Sequence, residues 1–310
     1  MEKIGLAGWV HFSFDVAIFS DNIGAVYKSQ GKLDEALNFF NRSLKIKRQH
    51  PKNTLNLAIA LNSVGVTYCS QGKFEEALNS YQEALEIMEQ LAPISLDVAP
   101  LLDNIGAFYK SQGKLDEALE YFRASLEIKQ QHETNTLNVA IALNSIGVVY
   151  HSQGKFEEAL NHYKEAYAIR NELAPNSLSV FTVLDNIGAV YQSQGKFEDA
   201  LNSYEEALKI MEQLAPNSLD VADALNNIGE VYESQGKLDE ALKYYKKALD
   251  IRMLINPDSE DASISSQKIL EVNTRVNGQN NSSEISLIIG SESVNNSLDV
   301  LEVSAQDSRG

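Results

Sequence analysis

The sequence is poor in the residues that staple, break or anchor a chain. A single cysteine, Cys69, excludes an intramolecular disulfide and a zinc site built from several thiolates, and such usage fits a reducing compartment. The expected location is the cytoplasm, with the nucleus left open. Only six prolines interrupt 310 residues, and with 44% hydrophobic and 22% charged residues the chain should be soluble and able to bury a large core. Basic residues are scarce: 26 Lys and Arg against 43 Asp and Glu leave a formal charge of -17. That balance repels phosphate backbones and anionic headgroups, so neither nucleic acid nor a membrane surface is an expected partner. No apolar run approaches the roughly 20 residues of a spanning helix. The stretch from Ile4 to Phe14 is broken by glycines and His11, which argues against a cleaved signal.

Converging reactive groups are also missing. Cys69 has no histidine near it in sequence, and the equivalent positions of other repeats carry Lys28, Lys110 or Gln192. The histidines His11, His50, His132, His151 and His162 are scattered without ligand spacing. Gln-Gly-Lys recurs six times but lacks the upstream glycine and the following Ser or Thr of a phosphate-binding loop. No catalytic residue, metal site or cofactor is therefore expected, and the chain reads as a non-enzyme. The cluster Arg42, Lys45, Lys47, Arg48, His50 and Lys52 reads as a solvated helix face.

What is present is repetition. Gly31, Gly72, Gly113, Gly154, Gly195 and Gly236 stand 41 residues apart, as do Gly24, Gly65, Gly106, Gly147, Gly188 and Gly229. Six copies starting at Phe14, Leu55, Leu96, Leu137, Leu178 and Leu219 account for 246 residues. Within the third copy Leu102, Ile105, Gly106 and Tyr109, then Leu115, Ala118, Leu119, Phe122 and Leu126, fall at helical steps on either side of a turn at Gly113. Each copy is thus a helical hairpin. Gly106 and Ala118 should let its helices approach closely, while Tyr109 and Phe122 should fill the space between successive hairpins. Ser20 replaces the leucine found at Leu61, Leu102, Leu143, Leu184 and Leu225, so the first helix should pack less tightly.

The apolar-Gly, Tyr, Ala and aromatic positions of the first copy, Ile23-Gly24, Tyr27, Ala36 and Phe40, recur in all six, and in this the chain resembles the tetratricopeptide repeat family. The 41-residue period exceeds that family's usual 34 and resembles the longer repeats of kinesin light chains. The resemblance implies an all-α, right-handed α-solenoid of six hairpins, which binds a peptide segment of a partner protein in its concave groove. The expected organisation is an N-terminal extension 1–13, repeats 14–259, a capping helix 260–276 and a disordered tail 277–310. A pair superperiod shows in Asn53-Thr54-Leu55-Asn56 and Asn135-Thr136-Leu137-Asn138.

Helix geometry places four positions per first helix on the inner face. Three residues before the glycine stand Asp21, Asn62, Asp103, Asn144, Asp185 and Asn226, and the next column includes Asn22, Asn104, Asn186 and Asn227. Asparagine can donate and accept at once, which suits the main chain of an extended peptide, and the alternative is that it bonds a neighbouring helix. Four after the glycine stand Lys28, Lys110, His151, Gln192 and Glu233. Ala25, Val66, Ala107, Val148 and Ala189 occupy the central column, so the carboxylate clamp of the family's chaperone-tail binders is absent. Glu230 and Glu233 join Asp185 and Asp223 toward the C-terminal repeats, where a basic partner segment is expected. Rival readings are a regulatory sensor fragment of a larger signalling protein and an enzyme with an unrecognised site. A motor-adaptor role would call for a flanking heptad region, which is lacking. Oligomeric state is left open.

Overall fold

The computed structural model describes residues 2–49, 54–92 and 94–277, all-helical in the elements it forms. The segment 278–310, expected as a disordered tail, lies outside the described residues, as do His50 and Lys52 of the basic cluster. The chain divides into two compact units, 1–173 and 174–310. In the first the hairpins are α1 (Glu2–Ser29) with α2 (Leu33–Arg48), α3 (Thr54–Ser70) with α4 (Phe74–Leu91), α5 (Ala99–Ser111) with α6 (Leu115–His132), and α7 (Leu137–Ser152) with α8 (Phe156–Leu173). In the second they are α9 (Leu178–Ser193) with α10 (Phe197–Leu214) and α11 (Leu219–Ser234) with α12 (Leu238–Ile255), followed by α13 (Glu260–Asn277). The first helix of each hairpin is called A and the second B.

Local chemistry sets the helix ends. The side chains of Thr136, Ser177 and Ser218 accept from the backbone N–H three residues on, which satisfies an otherwise orphaned donor at the starts of α7, α9 and α11. The third copy differs: Pro100 sits in the first turn of α5, and Leu96–Val98 ahead of it forms a 3-10 turn. At the A-to-B turn of the third copy Gly113 has φ +72°, and Lys114 N–H reaches back to Tyr109 C=O at 2.9 Å, the bond that closes a helix on a left-handed residue.

The other glycine column works by contact. A Cβ on Gly106 would lie 2.9 Å from the Phe122 ring, so B-helix aromatics pack directly on A-helix backbone inside their own hairpin. Of the two rings expected between hairpins, Tyr109 also stacks on Tyr121 of its own hairpin at 5.5 Å. The same B-helix aromatic column also makes contact between hairpins, as expected for Phe122: Tyr81 meets Phe108 edge-on at 6.1 Å, and Ala200 and Tyr204 of α10 cluster with Ile228 and Val231 of α11. Ser20 is buried and bonds the Val16 carbonyl at 2.8 Å, so its hydroxyl is satisfied within α1.

The helix α13 occupies the seat that a further A helix would take. Ile269 and Val272 stand 41 residues after Ile228 and Val231 and join Ala241, Tyr245 and Leu249 in one core. Leu270 stands where the A helices carry glycine and is partly exposed. Lys268 lies over the Tyr245 ring, 4.8 Å from its centroid. Ending the chain at residue 259 should expose this core, lower the thermal midpoint of the second unit and promote aggregation. Circular dichroism melts of the full and shortened chains check this, and coincident curves would refute the capping role.

Candidate functional site

The A helices carry the residues expected to line a binding face, and several of them are engaged within the fold. In the first unit the aspartates are not free charges. Asp21 pairs with Lys47 at 2.5 Å and Asp103 with Lys129 at 2.6 Å, each lysine coming from the B helix of the same hairpin. Both lysines are buried, which corrects the reading of Lys47 as part of a solvated face. Arg48 of that cluster grips Glu83 with two bonds of 2.9 and 2.7 Å. The asparagine ladder is engaged between repeats: Asn104 donates to Asn62 at 2.9 Å. Asn22 and Lys110 are exposed, whereas Asn144 and His151 are half-buried, and burial pulls the His151 imidazolium below the usual histidine range. Burial likewise lowers the Lys28 ammonium.

In the middle of this face a cleft of about 450 Å³ opens between α3 and α5. Val66, Cys69, Phe74, Tyr81, Ala107 and Phe108 make its walls apolar, with Ser70, Ser111 and Asn104 at the polar positions. Phe108 fills a position held in other repeats by Val26, Thr67, Val149, Val190 and Val231, and this ring gives the cleft a wall the other repeats lack. Cys69 Sγ sits 3.6 Å from Tyr81 Oη, and burial pushes its thiol up, which disfavours the thiolate a nucleophile needs.

In the second unit Asn227 donates to Asp185 at 2.8 Å, repeating the Asn104 to Asn62 register. Burial holds the Asp185 carboxyl above the usual carboxylate range, with the Asn227 bond opposing and Asp223 adding to it. Asn226 donates to Glu230 at 3.0 Å, and Tyr204 Oη donates to Gln192 at 3.1 Å. Asn186 is half-buried. The acidic residues of this unit also carry cations: Asp223 pairs with Arg252 at 2.6 Å, Glu230 with Lys268 at 2.6 Å, and Glu233 with Arg275. The structure thus brings together Asp185 with Asn227 and Glu230 with Asn226, and it sets α13 cations against both glutamates.

Sequence reasoning missed the B-helix cations. Their signal lies 23 residues after the glycine: Lys47, Met88, Lys129, Arg170, Met211 and Arg252. Asp21 and Asp103 have a lysine in this column, whereas Asp185 has Met211. Among the described residues no group of three or more His, Cys, Asp or Glu is placed to hold a metal ion, and no helix is long and apolar enough to cross a membrane.

Glycine-seated aromatics, left-handed turn glycines and A-on-B stacking are the features of one repeat class, and comparison with known proteins agrees. The tetratricopeptide repeat family model matches residues 15–90, 97–172 and 179–253, so the chain belongs to the tetratricopeptide repeat family. No curated protein matches significantly in sequence. Among solved structures the fold is similar to BtubC (BKLC) from P. vanneervenii, at 24% identity and TM-score 0.64 over 72% of this chain and 92% of that one. A putative kinesin light chain repeat protein of Podosopora anserina matches at 15% identity and TM-score 0.58 over 66% of this chain and 98% of that one. Aspartyl phosphate phosphatase F from Bacillus subtilis matches at 19% and 0.63, over 76% of this chain and 60% of that one. The fold is an all-helical α-solenoid, and its structural neighbours include kinesin-light-chain-like tetratricopeptide repeat proteins.

Proposed function

We propose that the chain is a non-catalytic protein-interaction scaffold, working in the cytoplasm, whose A helices bind an extended segment of a partner protein. The cleft between α3 and α5 carries this reading. It is apolar, opens on the face formed by the A helices, and at about 450 Å³ has room for one large apolar side chain of a bound segment. Asn104 on its rim can bond that segment's main chain with the amide capacity it does not spend on Asn62. In the second unit Asp185, for which the register supplies Met211 where Asp21 and Asp103 have lysines, suits a lysine or arginine of the partner. Glu230 and Glu233 contribute less, because Lys268 and Arg275 already balance them.

A displayed peptide library panned against the chain tests this. The enriched peptides should share an apolar residue, and Ala107→Trp, which fills the cleft from an exposed position, should cut their affinity at least tenfold while leaving the melting curve unchanged. Peptides that bind Ala107→Trp as well as the parent would overturn the cleft assignment, and no enrichment at all would overturn the scaffold reading.

A further inference from the structure

The face of α1 that looks away from the second hairpin carries, exposed, the positions through which the other repeats join. Five, one and two residues around the A-helix glycine, the other copies bury Ala60, Val64 and Thr67, or Leu101, Ile105 and Phe108, each at 7% exposure or less. In α1 the same three positions are Phe19, Ile23 and Val26, and they are 67%, 41% and 55% exposed. The residues that complete this contact elsewhere are the alanine and aromatic of a B helix, as Ala200 and Tyr204 do for Ile228 and Val231. At the other end of the chain that B-helix surface is spent, since Ala241 and Tyr245 of α12 already hold Ile269 and Val272 of α13. Seating the α1 face of another copy on that surface would displace α13, whereas a closed two-fold pair covers the face without any such displacement.

The order of side chains along α1 favours that pair. At 100° per residue, Asp15, Phe19, Asn22, Ile23, Val26 and Gln30 fall on one side of the helix. Read in reverse, the stripe meets itself: position 15 comes opposite 30, 19 opposite 26, and 22 opposite 23. An exposed carboxylate then faces an exposed amide at each rim, a phenyl ring faces a valine, and the two Asn22 amides, each able to donate and accept, lie near the axis. We propose that a second copy of this chain docks antiparallel on α1 through Phe19, Ile23 and Val26, forming an isologous dimer. This contact is separate from the A-helix cleft, so it stands or falls independently of the peptide-binding reading.

Sedimentation equilibrium of the full chain over rising concentration tests it. The mass should climb from 34.3 kDa toward twice that value, and Phe19→Asp with Ile23→Asp should hold the chain at the monomer mass. Because all three side chains are exposed, the double variant should keep the helical circular dichroism spectrum of the parent. In a Cys69→Ser background, mixing Asp15→Cys and Gln30→Cys chains with a short bismaleimide linker should give cross-linked dimers, and neither chain alone should. A mass that stays at 34.3 kDa at every concentration overturns the proposal, as does association that survives the double aspartate variant or cross-linking that ignores the 15-to-30 register.

Discussion

Replacing Gly147 by alanine is expected to destabilise the first unit by about 1–3 kcal/mol, although the same change in an ordinary helix interior stabilises by about 1 kcal/mol. The sign reverses because the new Cβ would lie 2.6 Å from Tyr163 Cε1, and that ring is fully buried and cannot retreat. Something must shift, and the neighbours are a helix backbone on one side and a close-packed core on the other. Gly154→Ala, seven residues on, tests a different mechanism. Nothing lies within 4 Å of a Cβ there, so its cost of about 1 kcal/mol comes only from holding alanine at φ +72°. The two are separated by the neighbour: Gly147→Ala should become neutral or stabilising once Tyr163 is leucine, and Gly154→Ala should not change. Urea titrations followed by circular dichroism measure the totals, and hydrogen exchange of α7 and α8 amides locates them, since stacked repeats need not melt in one step.

Asp103→Leu should cost about 2–4 kcal/mol by stranding the buried Lys129 ammonium without its partner. The loss is placed below that of a fully buried pair because the Asp103 side chain keeps 28% of its exposure, and water shares in solvating the pair. Lys129→Met should cost much less, since Met88 and Met211 already fill the same position in two other repeats. The double variant Asp103→Leu, Lys129→Met should recover most of the loss, because both charged groups have then left the interior together. A double-mutant cycle in urea measures the coupling directly. Additive effects would mean that the pair does not hold α5 to α6.

Much of the fold was legible because its information is periodic. A glycine that must accept a ring and a glycine that must turn left each recur every 41 residues, and the apolar steps between them leave only a helical hairpin as the unit. The site was harder to read. Helical phase correctly put Asp21 and Asp103 on A helices, but whether a carboxylate is available depends on a residue 26 positions later on another helix, at Lys47 and Lys129. That contact follows from hairpin register rather than from the helical phase of either element alone. The asparagines show the same limit: side-chain capacity suggested peptide contact, while Asn104 and Asn227 spend one donor each on the preceding repeat. The cleft was invisible in the central Ala and Val column and depends on one substitution, Phe108, whose size matters only beside Tyr81 of the hairpin before it.

The claim on which the functional account rests is that the A-helix face, rather than the outer B helices, receives the partner. A peptide selected by panning and carrying a photoreactive phenylalanine at its apolar position measures this directly, through the sites at which it becomes covalently attached. Attachment at Val66, Cys69, Ala107 or Ser111, abolished by Ala107→Trp, is the predicted result. Attachment on exposed B-helix residues such as Asn79 or Glu120 would contradict the account.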